Sequence, residues 1–220
     1  MTATEKYLKE KDELKSVRKN RILEASFKLF AEKGIDTIAM TDIAKKAEIG
    51  VASLYRYYET KDEIAIRTTI WAWEKLKFVF LPLINNQEYE ALNGINQVAK
   101  ICSIFTTLFE TQNDFLRYIY FFDSYAIRTK IEQGRLRDYE VLISTVQDIV
   151  ENAIKKGLND GSINSKYKEQ SSLLYFTLMH TIFSTAQKLT LSGNLLQMDN
   201  IISGKKQLEQ LSEILINGLK

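Results

Sequence analysis

Two short helical patterns, separated by a glycine-containing break, lie within residues 38–64 and constrain the fold more than any other part of the chain. The segment reads IAMTDIAKKAEIGVASLYRYYETKDEI. A short helix, a tight turn and a second short helix form the helix-turn-helix arrangement, whose second helix enters the major groove of DNA. We therefore expect a DNA-binding domain near the N-terminus.

The residue spacing inside this segment separates a core face from an exposed face. Ile43, Ala44 and Ala47 share one side of the first helix, because positions i, i+1 and i+4 lie together. In the second helix, Leu54 and Tyr58 lie four residues apart and can enter the same core. The positions left to cover the surface are Val51, Ala52, Ser53, Tyr55, Arg56 and Tyr57.

The rest of the chain has the composition of a helical protein, with a single proline, Pro82, and nine glycines. Long proline-free stretches leave helices uninterrupted and favour an all-α fold. Apolar spacing predicts about nine helices, at about 16–33, 40–47, 51–58, 61–81, 89–111, 113–128, 136–156, 167–191 and 205–218. Thr60 and Glu63 form a capping-box pattern that predicts a helix start at Lys61.

Three segments are expected along the chain. Residues 1–15 mix lysine and glutamate without a clean apolar stripe, and form either a mobile arm or a frayed helical extension. Residues 16–64 form the helix-turn-helix domain, and residues 65–220 form a helical bundle. Because residues 1–64 carry 13 basic and 12 acidic side chains, DNA binding must depend on local charge placement. One local basic cluster exists, formed by Lys15, Arg18, Lys19 and Arg21.

The composition excludes several classes of protein. Cys102 and His180 are the only residues of their types, so no cysteine or histidine cluster can hold a metal, and no cofactor is expected. No nucleophile–histidine–carboxylate set or glycine-rich phosphate loop is present, which argues against an enzyme. The charged N-terminus is unlike a signal peptide, and the apolar run 115–127 is too short for a bilayer. We expect a cytoplasmic protein without a membrane partner.

The sequence AKKAEIGVASLYRYYETKDEI resembles the signature of the TetR family of transcriptional regulators. The matching positions are Ile43, Ala44, Ala47, Leu54, Tyr55, Tyr57 and Lys61, and the preceding RILEASFKLFAEKG resembles the family's first helix. The resemblance is strong over residues 21–64. It implies an all-α protein with an N-terminal three-helix helix-turn-helix DNA-binding domain and a C-terminal helical bundle for ligand binding and dimerisation.

The resemblance also implies a set of DNA contacts. The predicted contact residues are Thr41, Val51, Ala52, Ser53, Tyr55, Arg56, Tyr57 and Lys61. Tyr55 and Tyr57 are alternatively core residues, and Arg56 is alternatively a solvated side chain. A cation at position 61 opposes the helix macrodipole, so a bound phosphate would satisfy the lysine and the helix N-terminus together. The alternative is a solvated surface lysine.

Three positions depart from the family pattern. Glu48 replaces the usual turn glycine, so this turn requires ordinary dihedral angles or some strain. Gly50 replaces a serine or threonine cap, which glycine can fill with little loss. Ile38 and Ala39 stand where threonine or serine would cap the first short helix, so its start is expected to fray.

The predicted bundle is rich in aromatic residues between positions 71 and 125. Such residues either fill the core or line an apolar ligand cavity with a few polar groups, and the resemblance favours a cavity. The candidate ligand-binding residues are Trp71, Phe78, Cys102, Phe105, Thr106, Tyr118, Phe121, Tyr125, Tyr139, Phe176 and His180. For His180, a satisfied buried or interface histidine is the favoured alternative.

Apolar stripes on the last two predicted helices form either intramolecular core or a dimer surface, and the resemblance favours the dimer. The candidate interface residues are Leu174, Leu178, Ile182, Leu208, Leu211 and Leu215. A two-fold dimer matches palindromic DNA. The expected function is a homodimeric repressor, released from a double-stranded DNA operator by a small apolar or aromatic ligand. The alternative is a ligand-independent architectural or nucleoid-associated protein of the same fold; a helical carrier of hydrophobic ligands would leave the first sixty residues unexplained.

Overall fold

The computed structural model describes residues 2–193 and 195–220, and these residues form ten α-helices and no strand. The all-α prediction is confirmed. The helices are α1 Ala3–Lys33, α2 Met40–Lys46, α3 Val51–Tyr55, α4 Lys61–Ile84, α5 Gln87–Ala91, α6 Gly94–Thr111, α7 Asn113–Thr129, α8 Arg137–Asp160, α9 Ser171–Ser192 and α10 Gly204–Leu219. None of the helices among the described residues is both long and apolar enough to cross a membrane.

Helix α1 begins thirteen residues before the predicted start at position 16, so the N-terminal segment is a helical extension. A capping box explains this early start. The Glu5 N–H donates to Thr2 Oγ1 over 3.2 Å, and the Thr2 N–H donates to the Glu5 carboxylate over 2.6 Å. Residues 4–21 are exposed, and the buried part of α1 begins at Ile22.

Several other helix boundaries differ from the prediction, including the end of α8 at Asp160 and the start of α9 at Ser171. The predicted helix 89–111 is divided into α5 and α6, because the Asn93 side chain accepts from the Asn96 N–H and starts a new helix. Helix α4 continues through Pro82 to Ile84, whereas the proline pattern predicts an end near residue 81. Helix α3 ends at Tyr55, before the predicted position 58.

The chain divides into two compact units. Unit 1 contains Met1–Ala72 and Tyr118–Arg137, and unit 2 contains Trp73–Arg117 and Asp138–Lys220. The division therefore falls inside α4 and α7, and differs from the boundary at residues 64 and 65 that the sequence suggests. The first part of α4 belongs with the N-terminal helices because it shares their buried core.

Tyr118 is the largest fully buried side chain of the unit 1 core. Its hydroxyl lies 2.7 Å from the Ala65 carbonyl, to which it donates, and 2.9 Å from Thr69 Oγ1. Its ring packs against Phe27 and Phe30, with centroid distances of 5.4 and 6.1 Å. Unit 1 is thus held by aromatic packing and by hydrogen bonds that fix the first turns of α4.

Unit 2 contains a close contact between the start of α6 and the end of α8. A Cβ atom at position 94 would lie 1.9 Å from the backbone nitrogen of Gly157, which is far inside van der Waals contact. Only two glycines allow the backbones to approach this closely. The Gly94 N–H also donates to the Asp160 carboxylate over 2.8 Å.

Candidate nucleic-acid interface and ligand cavity

Helices α2 and α3 form the predicted helix-turn-helix, and their inner face is buried as the spacing predicts. Ile43, Ala44, Ala47, Leu54 and Tyr58 are all at most 5% exposed. The small alanines allow α3 to pack closely against α2. This packing fixes the direction of α3, so its outer face is held in a defined orientation within unit 1.

The turn between these helices adopts a strained backbone conformation at Glu48, whose φ is +55°. The left-handed region costs a non-glycine residue roughly 1–2 kcal/mol. Of the two alternatives that the sequence leaves open for this turn, the structure therefore shows the strained one. The Ile49 N–H donates to the Ala44 carbonyl over 3.0 Å, and the Arg21 guanidinium lies 3.8 Å from the Glu48 carboxylate. These contacts hold the turn in place.

The start of α2 is held by one hydrogen bond rather than two. Ala39 has no side-chain acceptor, but its N–H donates to the Asp42 carboxylate over 2.9 Å. This is the reciprocal half of a capping box. The first turn of α2 is therefore partly capped, although the sequence predicts fraying there.

The residues predicted to contact DNA differ in exposure. Thr41, Val51, Ala52, Tyr55 and Arg56 are exposed, whereas Ser53 and Tyr57 are half-buried. The Arg56 guanidinium donates to Ser53 Oγ over 2.7 Å and so lies along its own helix. The exposed face of α3 is accessible to a partner, and the contacts themselves stay a prediction.

Lys61 occupies an arrangement that neither reading of the sequence anticipates. Its ammonium group donates to the carbonyls of Ile35, Asp36 and Ile38 over 3.0, 3.1 and 3.2 Å. These three bonds use all the donors of the ammonium group. Lys61 therefore joins the start of α4 to the loop between α1 and α2. A phosphate would have to exchange with at least one of these carbonyls.

Asp62 is the centre of a second polar cluster beside Lys61. The Tyr125 hydroxyl donates to Asp62 over 2.6 Å, and the Arg135 guanidinium donates to the same carboxylate over 3.2 Å. Burial, followed by the hydrogen bond to Asp62, raises the pKa of Tyr125. Arg128 forms an ion pair with Asp36. Sequence reasoning missed this cluster because its members are up to about ninety residues apart.

Unit 2 contains an apolar cavity of about 90 Å³. The lining residues come from α4, α6, α8 and α9; they are Trp73, Leu76, Lys77, Phe80, Leu81, Ile84, Ile101, Ile104, Phe105, Leu108, Val146, Ile149, Val150 and Met179. The Trp73 indole nitrogen is buried without a hydrogen-bond partner within the described part of the chain. Lys77 donates to Thr145 Oγ1 over 3.0 Å.

A second cavity of about 460 Å³ adjoins the apolar one, since Leu81, Ile84 and Ile149 line both. Its other lining residues are largely polar or charged: Asn85, Tyr89, Glu90, Gln97, Asn152, Ala153 and Lys156. The Lys156 ammonium donates to the Glu90 carbonyl over 2.7 Å. Unit 2 thus places an apolar compartment next to one with amide and charged groups.

Most candidate ligand residues lie elsewhere, and among them only Phe105 lines either cavity. Trp71, Tyr118, Phe121 and Tyr125 belong to unit 1; Phe78, Phe176 and His180 are exposed; Cys102 and Thr106 are buried, and Tyr139 is half-buried. Burial raises the pKa of Cys102 to about 12. The sequence feature that indicates the apolar cavity is the helical spacing of four of its lining residues, Trp73, Leu76, Phe80 and Ile84.

The predicted dimer stripe also differs from the structure. Leu174, Leu178, Ile182 and Leu208 are buried within the protomer, and Leu211 and Leu215 are half-buried. The exposed apolar side chains on these helices are instead Leu173, Phe176 and Ile214. Helix α9 is apolar on more than one face, so its sequence pattern does not indicate which face is internal.

No group of three or more histidine, cysteine, aspartate or glutamate side chains that could hold a metal ion occurs among the described residues. Unit 1 presents an exposed helix-turn-helix face. Unit 2 separately contains two adjoining cavities.

Comparison with known proteins gives a family match over the helix-turn-helix region. Residues 22–68 match the family described as "Bacterial regulatory proteins, tetR family". The chain is 32% identical over 79 residues to IcaR, the negative transcriptional regulator of the biofilm operon icaADBC in Staphylococcus epidermidis, covering 36% of this chain and 42% of IcaR. It is 41% identical over 46 residues to an HTH-type transcriptional regulator of Staphylococcus aureus strain USA300, covering 21% and 25%. The chain spans less than half the length of these relatives.

Solved structures match the fold over nearly the whole chain. A putative TetR-family regulator from Mesorhizobium loti has a TM-score of 0.69 at 15% identity, covering 93% of this chain and 95% of that one. FadR from Bacillus subtilis, solved with stearoyl-CoA, has a TM-score of 0.65 at 17% identity, covering 91% and 98%. Residues 22–68 are thus similar in sequence to bacterial regulatory proteins of the TetR family, and the fold of the chain is similar to that of solved structures such as the Mesorhizobium loti protein.

Proposed function

We propose that this protein is a homodimeric transcriptional repressor that binds a palindromic operator through α2 and α3, and is released by a small ligand bound in unit 2. The observation that carries the proposal is the α2–α3 pair, whose inner face is buried and whose outer face is exposed. The three hydrogen bonds of Lys61 support it by fixing the start of α4 against the α1–α2 loop.

The exposed face of α3 indicates how DNA is read. Val51 and Ala52 can contact only apolar groups such as thymine methyls, whereas Thr41, Tyr55 and Arg56 can donate hydrogen bonds. Few polar base contacts are available from such a short helix. Phosphate placement and DNA shape therefore supply much of the sequence preference.

The two adjoining cavities support an amphipathic ligand. The apolar cavity of about 90 Å³ is smaller than the roughly 300–1,000 Å³ of ordinary small-molecule sites, whereas the cavity of about 460 Å³ lies within that range. A ligand with an apolar segment and a hydrogen-bonding head group would use both compartments. FadR from Bacillus subtilis, similar in fold, was solved with stearoyl-CoA, a molecule of this general kind.

The exposed apolar side chains of α9 and α10 support the homodimer. Leu173 and Phe176 lie one turn apart on α9, with His180 a further turn along, and Ile214 is exposed on α10. Exposed apolar side chains at this spacing are typical of a helix that packs on a partner. A two-fold dimer would then present two copies of α3 to a palindrome.

The test begins with a duplex selected by the protein from a random-sequence pool. At fixed salt, Tyr55→Ala and Arg56→Ala together are expected to weaken binding to that duplex by at least tenfold. Tyr120→Ala, which alters an exposed tyrosine on α7, is the matched control. Wild-type affinity in the double variant would contradict the assignment of α3.

A ligand-independent DNA-binding protein of the same fold is the second candidate, favoured by the small volume of the apolar cavity. The same selection of duplexes from a random-sequence pool distinguishes this candidate from a ligand-released repressor. An architectural protein would enrich no particular sequence, and acyl-chain probes with polar head groups would leave its DNA affinity unchanged. A repressor would enrich a palindrome, and one such probe would lower its affinity.

A further inference from the structure

We propose that the exposed N-terminal part of α1 is a second DNA-binding surface, which contacts phosphates of the duplex flanking the half-site read by α3. Its contact residues are Lys11, Lys15, Arg18 and Lys19. The proposal rests on the proposed DNA-binding function, and it assigns a partner to a segment that the helix-turn-helix does not use.

The length and exposure of this segment carry the first step. Residues 4–21 are exposed along five turns of helix, so nothing within the described chain covers them. At 1.5 Å per residue they extend for about 27 Å. The capping box at Thr2 and Glu5 holds the helical start, and the buried part of α1 anchors the other end.

The charges on this helix are divided between two faces. Lys11, Lys15 and Arg18 lie at positions i, i+4 and i+7, which share one side of a helix, and Lys19 lies beside them. None of these four forms an ion pair or hydrogen bond within residues 2–193 or 195–220. On another face Lys6 and Lys9 pair with Glu10 and Glu13 over 3.9 and 4.0 Å.

Helix stability does not explain the unpaired face. Like charges three or four residues apart destabilise a helix by a few tenths of a kcal/mol per pair. The same helix carries acidic residues that it uses for pairing elsewhere. A row of unpaired cations instead matches a row of phosphates, for which lysine is a common point-charge ligand.

Arg21, three residues after Arg18, relates the end of this segment to the α2–α3 pair. The Arg21 guanidinium lies 3.8 Å from the Glu48 carboxylate, in the turn that leads into α3. The ion pair offsets the negative charge of Glu48 beside the proposed interface. From Lys19 to Lys11 the cationic face extends for about 12 Å, which corresponds to three or four nucleotides along one strand at about 3.4 Å each.

Salt dependence on two duplexes tests the proposal. The probes are the minimal duplex selected from the random pool and the same duplex lengthened by about ten base pairs at each end. The variant is Lys11→Gln, Lys15→Gln, Arg18→Gln and Lys19→Gln together. Each lost phosphate contact lowers the slope of log affinity against log salt by about 0.9. On the long duplex, we expect the variant to bind more weakly than wild type and to show a smaller salt slope. On the minimal duplex, we expect its affinity and salt slope to equal those of wild type.

Lys6→Gln with Lys9→Gln is the control, because it removes two cations from the ion-paired face and is expected to leave the slope unchanged. Circular dichroism of the quadruple variant checks that its helix content is retained. Equal slopes for wild type and the quadruple variant on the long duplex would overturn the proposal, as would equal losses on both duplexes. If wild type selected no duplex at all, the DNA-binding function would fail together with it.

Discussion

The two halves of α4 are held in the protein by different forces. In unit 1 the first half is fixed by directional bonds: Lys61 donates to three carbonyls, Asp62 accepts from Tyr125, and the Ala65 carbonyl accepts from Tyr118. In unit 2 the second half is held mainly by apolar packing around a cavity. One helix therefore combines a rigidly specified end with an end that has unfilled space beside it.

This difference matches the two tasks of the proposed repressor. Hydrogen bonds fix orientation, because their energy depends on angle as well as distance. Apolar packing depends mainly on buried area and volume, so it tolerates rearrangement of side chains. A DNA-binding helix requires the first property, and a site that accommodates a ligand requires the second.

Replacing one lysine in each half of α4, Lys61 and Lys77, should give the largest contrast in stability between these halves. Lys61→Met leaves three carbonyls without their donor, two of them in partly buried bonds, and is expected to lower the free energy of unfolding by about 2–3 kcal/mol. Lys77→Met removes one exposed bond to Thr145 and should change it by less than about 0.5 kcal/mol. Urea denaturation measures both.

The same Lys61 variant separates a structural role from a phosphate contact. If the three carbonyl bonds define its role, DNA affinity falls while the salt slope stays unchanged. A slope reduced by about 0.9 per protomer would instead assign Lys61 to a phosphate.

Removing a tyrosine hydroxyl from each unit should give a smaller difference in unfolding free energy than the lysine variants do. Tyr118→Phe loses the bonds to Ala65 and Thr69 in a fully buried position, which we expect to cost about 1–2 kcal/mol. Tyr175 is buried in unit 2, and its hydroxyl forms no hydrogen bond within the described segments. Tyr175→Phe should therefore stay within about 0.5 kcal/mol of wild type. Similar losses of unfolding free energy in Tyr118→Phe and Tyr175→Phe would contradict the difference between the two units.

Backbone strain in unit 1 should be released by one substitution. Glu48→Gly removes the left-handed strain, whereas Glu48→Ala keeps it, and both remove the ion pair with Arg21. The free energy of unfolding should be higher for the glycine variant by about 1 kcal/mol. Thermal denaturation of the two variants side by side isolates this difference, and equal midpoints would show that position 48 is unstrained.

Filling the cavity should have a small effect on stability and a large effect on ligand response. Val146→Phe places a larger side chain at the cavity lining and should change the free energy of unfolding by no more than about 1 kcal/mol. We expect DNA binding to persist and release by ligand to be lost. Val141→Phe, on the exposed part of α8, should leave release intact. Normal release in the Val146 variant would place the ligand elsewhere.

Much of the DNA-binding region could be predicted from the sequence because it depends on local spacing. Ile43, Ala47 and Leu54 were assigned to the core from helical periodicity alone, and the structure buries all three. The family resemblance marks Glu48 as standing where glycine is usual, and the φ of Glu48 is positive. Local patterns such as these contain the information that forms short helices and turns.

The lining of the cavities and the buried face of α9 could not be predicted in the same way. Whether an aromatic residue lines a cavity depends on distant helices, as Tyr118 shows by packing inside unit 1 rather than beside the cavity. The family resemblance favours a dimer surface for Leu174 and Leu178, whereas the structure buries both within the protomer. Helix α9 is apolar on several faces, so periodicity does not indicate which face another helix covers. Local patterns also do not indicate the carbonyl partners of Lys61, because these lie 23 to 26 residues away.

The glycine contact between α6 and α8 limits how the cavity can change shape. Position 94 at the start of α6 touches position 157 near the end of α8, and both helices line the apolar cavity further along their lengths. Because the backbones already meet there, α6 and α8 cannot move closer together at this end, and a rotation about it would change the width of the cavity. Phe105 lies about 16 Å along α6 from Gly94, so a rotation of about 5° moves it by roughly 1.4 Å. In the proposed repressor, this contact would be the pivot about which α6 turns when a bulky group enters the cavity.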